Sequence, residues 1–258
     1  QYMNVGIQLA SLRQPFKKAL HTAAALGAQA VEIDARNETW VRDLSQSGRR
    51  QLRKMLNDLN LRVSAIGFRT RRGYDVVEDL ERRVAATKNV LSLAYDLGTA
   101  IVVNQVGTVP ESDSPAWNVL VDVLTDLGDC GQRVGACLAA ETGTEPAEDL
   151  KRLIAALPGG SVAVDLNPGN LIINGFSAQD AVEQLGASIQ HVHAKDAVRD
   201  LAQGRGVEVP LGEGTADFPQ LLGTLEEHRF RGFLTIERQS SDAPQYEIQQ
   251  AVRYLNDL

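Results

Sequence analysis

The segment Ile189-Gln190-His191-Val192-His193-Ala194-Lys195-Asp196 carries the densest chemistry in the chain: an apolar, strand-like run ends there in imidazole, ammonium and carboxylate groups. Alternation along an extended backbone puts His191, His193 and Lys195 on one face. Two further apolar runs end in a single carboxylate, Cys137-Leu138-Ala139-Ala140-Glu141 and Phe233-Leu234-Thr235-Ile236-Glu237. Imidazole nitrogen mixed with carboxylate oxygen suits Mn²⁺, Mg²⁺, Co²⁺ or Zn²⁺ in an open octahedral or five-coordinate site. Glu141, His193 and Glu237 are therefore expected to ligate a divalent metal, Mn²⁺ foremost. A fourth ligand is expected from Val164-Asp165-Leu166-Asn167-Pro168-Gly169-Asn170, where Asp165 and Asn167 share a face. Asp165 has the better ligand chemistry, and Asn167 lies nearer the strand end.

Strand-like runs at Asn4–Leu9, Ala30–Ile33, Arg62–Ile66, Ala100–Asn104, Ala136–Glu141, Ser161–Asn167, Ile189–His193 and Gly232–Glu237 alternate with amphipathic helical patterns. Pro15–Leu26, Ser47–Leu59, Asp79–Leu97 and Pro115–Val134 show apolar residues returning every three or four positions. Repeated strand–helix units over 258 residues predict an α/β chain folded as one (β/α)8 TIM barrel spanning 1–258, with chemistry at the C-terminal strand ends. A doubly wound open sheet competes, but no glycine-rich phosphate turn follows the first strand, where Gln8 and Ala10 stand. The stretch Asp200–Gly214 reads as an irregular loop and a lid, with Arg205 between two glycines closing over substrate.

Composition narrows the partners. A net charge of −7 argues against a nucleic-acid binder, which would show a basic face. Cys130 and Cys137 form no CxxC pair, so neither a disulfide framework nor a thiolate zinc site is expected. No apolar run approaches the roughly 18 residues of a bilayer span, and the start lacks a signal-peptide pattern. A cytoplasmic protein with a small-molecule substrate and no membrane partner is expected; a homo-oligomer is compatible with the sequence.

The order of strand-end Glu, strand-six motif, His-x-Lys-Asp and final strand-end Glu resembles the xylose isomerase-like TIM barrel superfamily of sugar phosphate isomerases and epimerases, over nearly the whole chain. The resemblance implies that Glu141 (in Glu-Thr-Gly-Thr-Glu), His193 (in His-Ala-Lys-Asp) and Glu237 (in Thr-Ile-Glu-Arg) are ligands. Through Pro168-Gly169-Asn170 it registers the family's strand-six Asp onto Asn167, a departure. Asn keeps an oxygen but removes a charge worth on the order of 4 kcal/mol at about 4 Å and an effective dielectric near 20, before desolvation. Weaker metal binding is expected, with Asp165 compensating in part from the layer below.

The implied activity is isomerisation or epimerisation of a sugar or keto-sugar, phosphorylated or not, by proton abstraction next to a metal-bound carbonyl, with Glu141 and Glu237 as the acid/base pair. A dehydratase or 3-keto-glycoside lyase would use the same enediolate. A metal-poor barrel that only binds a sugar is the third reading. An AP endonuclease relative is disfavoured by four histidines in total and an acidic chain. Lys195, Arg199, Arg72, Arg205 and Asn170 are the expected substrate contacts, and Arg36, Arg69 and Arg71 lie at the same end of the barrel. Asp196 is expected to orient His193 or a loop, and His191 to point inward one layer deeper as a hydrogen-bonded support. Glu32 faces the barrel interior in one of two registers.

Overall fold

A computed structural model describes residues 3–258. In chain order the elements begin β1 (Val5–Gln8), α1 (Phe16–Ala25), β2 (Ala30–Asp34), α2 (Thr39–Arg42), α3 (Gln46–Asp58), β3 (Arg62–Gly67) and α4 (Leu80–Asp96). They continue with β4 (Ile101–Asn104), α5 (Pro115–Val134), β5 (Cys137–Glu141), α6 (Ala147–Ala155), β6 (Val162–Leu166), α7 (Pro168–Ile173) and α8 (Ala178–Leu185). The chain ends with β7 (Ile189–Ala194), β8 (Asp196–Asp200), β9 (Arg205–Val209), α9 (Phe218–Glu227), β10 (Leu234–Ile236) and α10 (Pro244–Asn256). Strands β1 to β7 and β10 close a parallel barrel, with β10 between β7 and β1. These are the eight strands expected from the sequence.

Local signals account for the helices. Ser114 accepts from the backbone N–H of Trp117 at the start of α5, Pro115 occupies the first turn, and Gly135 stops the helix at φ 90°. The buried stripe Leu120, Leu124 and Leu127 lies on one face of that helix. Among the described residues no helix is long and apolar enough to cross a membrane.

The barrel interior changes character along its axis. Ala65, Ile101, Val103, Ala139 and Ala163 form a separate small apolar cluster. One pleat further along the strands, Glu141 is in register with Asp165, Asp165 with His191, and His193 with Thr235. Leu138, Ala140, Val164, Leu166, Val192 and Ile236 alternate with these and join the large core beneath the helices. The period-two pattern thus sends the polar groups inward and the apolar ones outward.

The expectation of an irregular lid over Asp200–Gly214 is corrected. β8 and β9 form an antiparallel hairpin, pairing Asp196 with Val209 and Asp200 with Arg205, closed by a short turn with Gly204 at φ 70°. Val198 opposite Val207 gives the pair its apolar cross-strand contact.

The loop after β3 is pinned by a buried polar chain. Tyr74 Oη lies 2.7 Å from Thr87 Oγ1 on α4 and accepts from Asn104 Nδ2 at 2.7 Å. Asn104 Oδ1 in turn accepts from the Thr70 N–H at 3.1 Å. Removing the phenolic oxygen takes from Asn104 Nδ2 the shorter of its two hydrogen bonds, leaving only Thr70 Oγ1 at 3.2 Å. Tyr74→Phe is expected to lose about 1–2 kcal/mol, lowering Tm by roughly 2–6 °C in a thermal melt; an unchanged Tm would show that this chain does not hold the loop.

Candidate active site

Inward-facing residues of β2, β5, β6 and β7 meet at the C-terminal end of the barrel, and the loop after β3 contributes the cation between them. Arg69 grips Glu141 bidentately, Nε to Oε1 at 3.1 Å and Nη2 to Oε2 at 2.8 Å. The same Nη2 stands 3.4 Å from His193 Nε2 and 3.9 Å from Glu32 Oε1. Gly67 makes room for it: a Cβ there would lie 3.1 Å from Arg69 Nη1 and 3.8 Å from the Glu32 carboxylate.

His193 is held at both ring nitrogens by carboxylates, Nδ1 by Asp165 Oδ2 at 2.6 Å and Nε2 by Glu32 Oε1 at 2.8 Å. Burial works against its charge, but Asp165 and Glu32 outweigh burial and hold the imidazolium well above the usual histidine range. Glu32 shows the converse. Burial would raise its carboxyl, yet His193 and Arg69 bring it down to about 2. Burial likewise opposes ionisation of Glu141, and Arg69, His193 and Asn167 together keep it far below the usual carboxylate range. Gln8, at the end of β1, completes Glu32 by donating Nε2 to Oε2 at 2.7 Å.

Asp165 bridges two rings, accepting from His193 and, at 2.8 Å, from His191 Nδ1. His191 is fully buried, and its Nε2 lies 2.7 Å from Thr235 Oγ1. It is therefore a hydrogen-bonded support one layer below the mouth. Asp196 resolves its two expected roles toward the loop: its carboxylate accepts from the N–H groups of Gly212, Gly214 and Ala216 at 3.0, 3.0 and 3.1 Å, and it does not reach His193.

Asn167 is not presented as a ligand. Its Oδ1 accepts from the Asn170 N–H at 3.0 Å, capping α7, and this fixes the amide orientation. Nδ2 consequently donates to Glu237 Oε2 at 2.9 Å and lies 3.4 Å from Glu141 Oε2. Glu237 also accepts from Gln239 Nε2 at 3.2 Å. Lys195 is buried; Nζ donates to Asn170 Oδ1 at 2.8 Å and Gln239 Oε1 at 3.2 Å, and stands 3.5 Å from Glu208 and 3.9 Å from Glu237. Gly169 admits its stem, since a Cβ there would fall 2.5 Å from Lys195 Cγ.

Three expected substrate contacts lie elsewhere. Arg199 is exposed on β8 and rests on Gly175 beyond α7. Arg205 stands at the far end of the hairpin, four residues or about 13 Å along the strand from the residues nearest the mouth. Arg72 pairs with the exposed Glu78 and lines, with Arg71 and Arg82, a second cleft that adjoins the mouth at Arg36. Among the loop arginines it is Arg69, not Arg72, that turns inward, because it continues the inward parity of Gly67 past the outward Phe68. Glu32 takes the inward one of its two registers. Glu208, Gln239 and Gln8 carried no signal in the sequence as site residues, since their placement depends on how the hairpin and loops dock.

Asp165, His191 and His193 are a possible metal site, with ligand-type atoms all within 4.8 Å of one another. The expected quartet of Glu141, Asn167, His193 and Glu237 does not fit a metal ion. A guanidinium holds Glu141, an amide N–H faces both glutamates, and both His193 nitrogens point at carboxylates. A ligand must present a lone pair, and Asn167 Nδ2 has none, while both His193 nitrogens are already taken by carboxylates.

The lowered Glu32 carboxyl has a direct consequence for stability. A group depressed from 4.5 to about 2 on folding contributes stability that is complete above pH 4.5 and disappears as pH falls through about 2. Urea unfolding from pH 7 to pH 2 is expected to lose on the order of 3 kcal/mol through this group. Glu32→Gln should be less stable at neutral pH and show a flatter acid limb; an acid limb identical to wild type would place the proton elsewhere.

The xylose isomerase-like TIM barrel family matches residues 20–258. The chain is 22% identical over 259 aligned residues to a protein named inosose dehydratase from Clostridium beijerinckii, covering 88% of this chain and 83% of that one. Its structure superposes on a xylose isomerase domain protein from Planctomyces limnophilus with a TM-score of 0.87 at 24% identity, over 100% of this chain and 97% of that one. The IOLI protein, solved with a zinc atom bound, superposes with a TM-score of 0.80 at 19% identity, over 99% and 97% of the two chains. Eight parallel strands closed into a barrel, inward polar residues at their C-terminal ends and a family match over most of the length agree: the chain belongs to the xylose isomerase-like TIM barrel family.

Proposed function

We propose that the barrel mouth binds a small polyhydroxylated ketone and removes water from it, beginning with abstraction of a proton next to the carbonyl. The observation that carries this reading is the inequality of the two strand-end glutamates. Glu237 and Arg69 line a cavity of about 360 Å³ together with Gln8, Asp34, Arg36 and Gln239. Glu141 has both oxygens held by the Arg69 guanidinium, whereas the Glu237 oxygens accept from the neutral amides of Asn167 and Gln239. One carboxylate therefore faces the cavity beside one cation. Epimerisation by two opposed glutamates, the first expectation from the sequence, requires Glu141 to exchange protons as freely as Glu237. Dehydration requires only one.

In this reading Arg69 lies against the carbonyl oxygen and stabilises the negative charge that develops there as the carbon loses its proton. Glu237 Oε accepts that proton and returns it to the β-hydroxyl, which leaves as water while the carbon–carbon double bond forms. One C–H and one C–O bond break, and no electron acceptor is needed. The amides of Asn167 and Gln239 fix the carboxylate, and the Lys195 ammonium stands 3.9 Å away. The name of the Clostridium beijerinckii relative, inosose dehydratase, supports the same class of reaction.

The test is exchange and elimination. Incubated in D₂O with keto-inositols and keto-sugars, the protein is expected to exchange the proton next to the carbonyl and to generate an unsaturated ketone absorbing in the ultraviolet. Glu237→Gln should lower both by about 10²–10⁴-fold. Solvent exchange accompanied by inversion at that carbon and no unsaturated product would instead establish an epimerase.

A further inference from the structure

We infer that Arg69 is the resident cation of this mouth: its guanidinium, together with the Asn167 amide, takes the place among Glu141, His193 and Glu237 that the resemblance assigns to a divalent ion, so the site is built to work without one. The inference goes beyond the proposed reaction and does not depend on it.

Three features point the same way. Arg69, from the loop after β3, satisfies Glu141 through two parallel N–H donors and brings Nη2 to 3.4 Å from His193 and 3.9 Å from Glu32. Asn167, at the end of β6, spends its only oxygen on the α7 cap and turns N–H toward the two glutamates. Asp165, one pleat lower, takes His193 Nδ1 at 2.6 Å while Glu32 from β2 takes Nε2 at 2.8 Å. Glu141, Glu237 and Asn167 thus each engage or present a hydrogen-bond donor where an ion would need a lone pair, and both His193 nitrogens are taken by carboxylates.

Asn167 and Arg69 compensate each other in charge. With Asn at 167 the cluster has one negative charge fewer than an Asp-bearing one, which is the charge balance a monovalent guanidinium requires and a dication does not. Gly67 completes the arrangement: a side chain there would meet both Arg69 and Glu32, at 3.1 and 3.8 Å. Arg69 is also fixed in the fold by its neighbour Thr70, whose N–H is held by Asn104 at 3.1 Å. The cation is therefore positioned by the same buried polar chain that orders the loop.

The decisive experiment reads metal, not turnover. Wild-type protein, purified without chelator and desalted, is assayed for Mn²⁺, Mg²⁺, Co²⁺ and Zn²⁺ by mass spectrometry, then titrated with Mn²⁺ under electron paramagnetic resonance and melted with and without EDTA. The expected result is substoichiometric metal, no saturable Mn²⁺ binding and one Tm with or without chelator. The double variant Arg69→Ala with Asn167→Asp is expected to gain a single saturable Mn²⁺ site, on the order of a hundredfold or more tighter than wild type. A one-to-one ion retained by wild type, or a wild-type Tm lowered by EDTA, would overturn the inference. If the double variant does not fold, the wild-type measurements decide alone. Loss of elimination activity with these metal results intact would sink only the proposed reaction.

Discussion

Carboxylates withdrawn from water at the end of a barrel must each meet a cation or N–H donors within hydrogen-bond reach, and this requirement organises the whole mouth. Glu32, Asp165, Glu141, Glu208 and Glu237 are all buried there. Arg69 serves Glu141, the His193 imidazolium links Glu32 with Asp165, and Lys195 and Arg238 share Glu208. No member can be exchanged alone, because the partner it leaves behind stays buried and uncompensated. The network extends from β2 through β7 to the hairpin and the loop after β10, so the charges that do chemistry also hold the loops that surround them.

Much of this was legible in the chain. Period-two and helical patterns gave the barrel strands and the helices α1, α3, α4 and α5, because burial on one face repeats with the geometry of each element. Strand-end Glu141, His193 and Glu237 were legible for the same reason: a charged residue closing an apolar run at inward parity has few places to go. The cap at Asn167 was also written in the sequence, as Asn followed by Pro at a helix start, but that signal competes with reading its oxygen as a metal ligand. Only the neighbouring Asn170 N–H decides between the two.

What escaped the sequence depended on tertiary placement. Arg69, Arg71 and Arg72 have the same chemistry, and which one turns inward is set by strand parity carried two residues beyond β3. Glu32 alternates with Val31 and Ile33, and only the packing of those two into the outer core decides that Glu32 faces inward. Glu208 belongs to a strand whose glycine-rich surroundings read as irregular, and its partners Gln239, Ser240 and Arg238 lie some thirty residues along the chain. Local pattern carries no information about a contact of that separation.

Barrels of this architecture are usually modular: strands and helices supply the frame, and each connecting loop can lengthen, shorten or be replaced independently of the others. Glu208 removes that independence here. It accepts from the backbone N–H groups of Gln239 at 2.9 Å and Ser240 at 3.0 Å, so the β8–β9 hairpin and the segment after β10 share one carboxylate. The two connections form a single inherited unit, and an insertion that shifts β9 by one residue would turn Glu208 to the opposite face and unmake both. Variation of this mouth among descendants of the chain is therefore channelled to connections outside this pair, such as the one after β2, where Asp34, Arg36 and Asn37 form a local turn of their own.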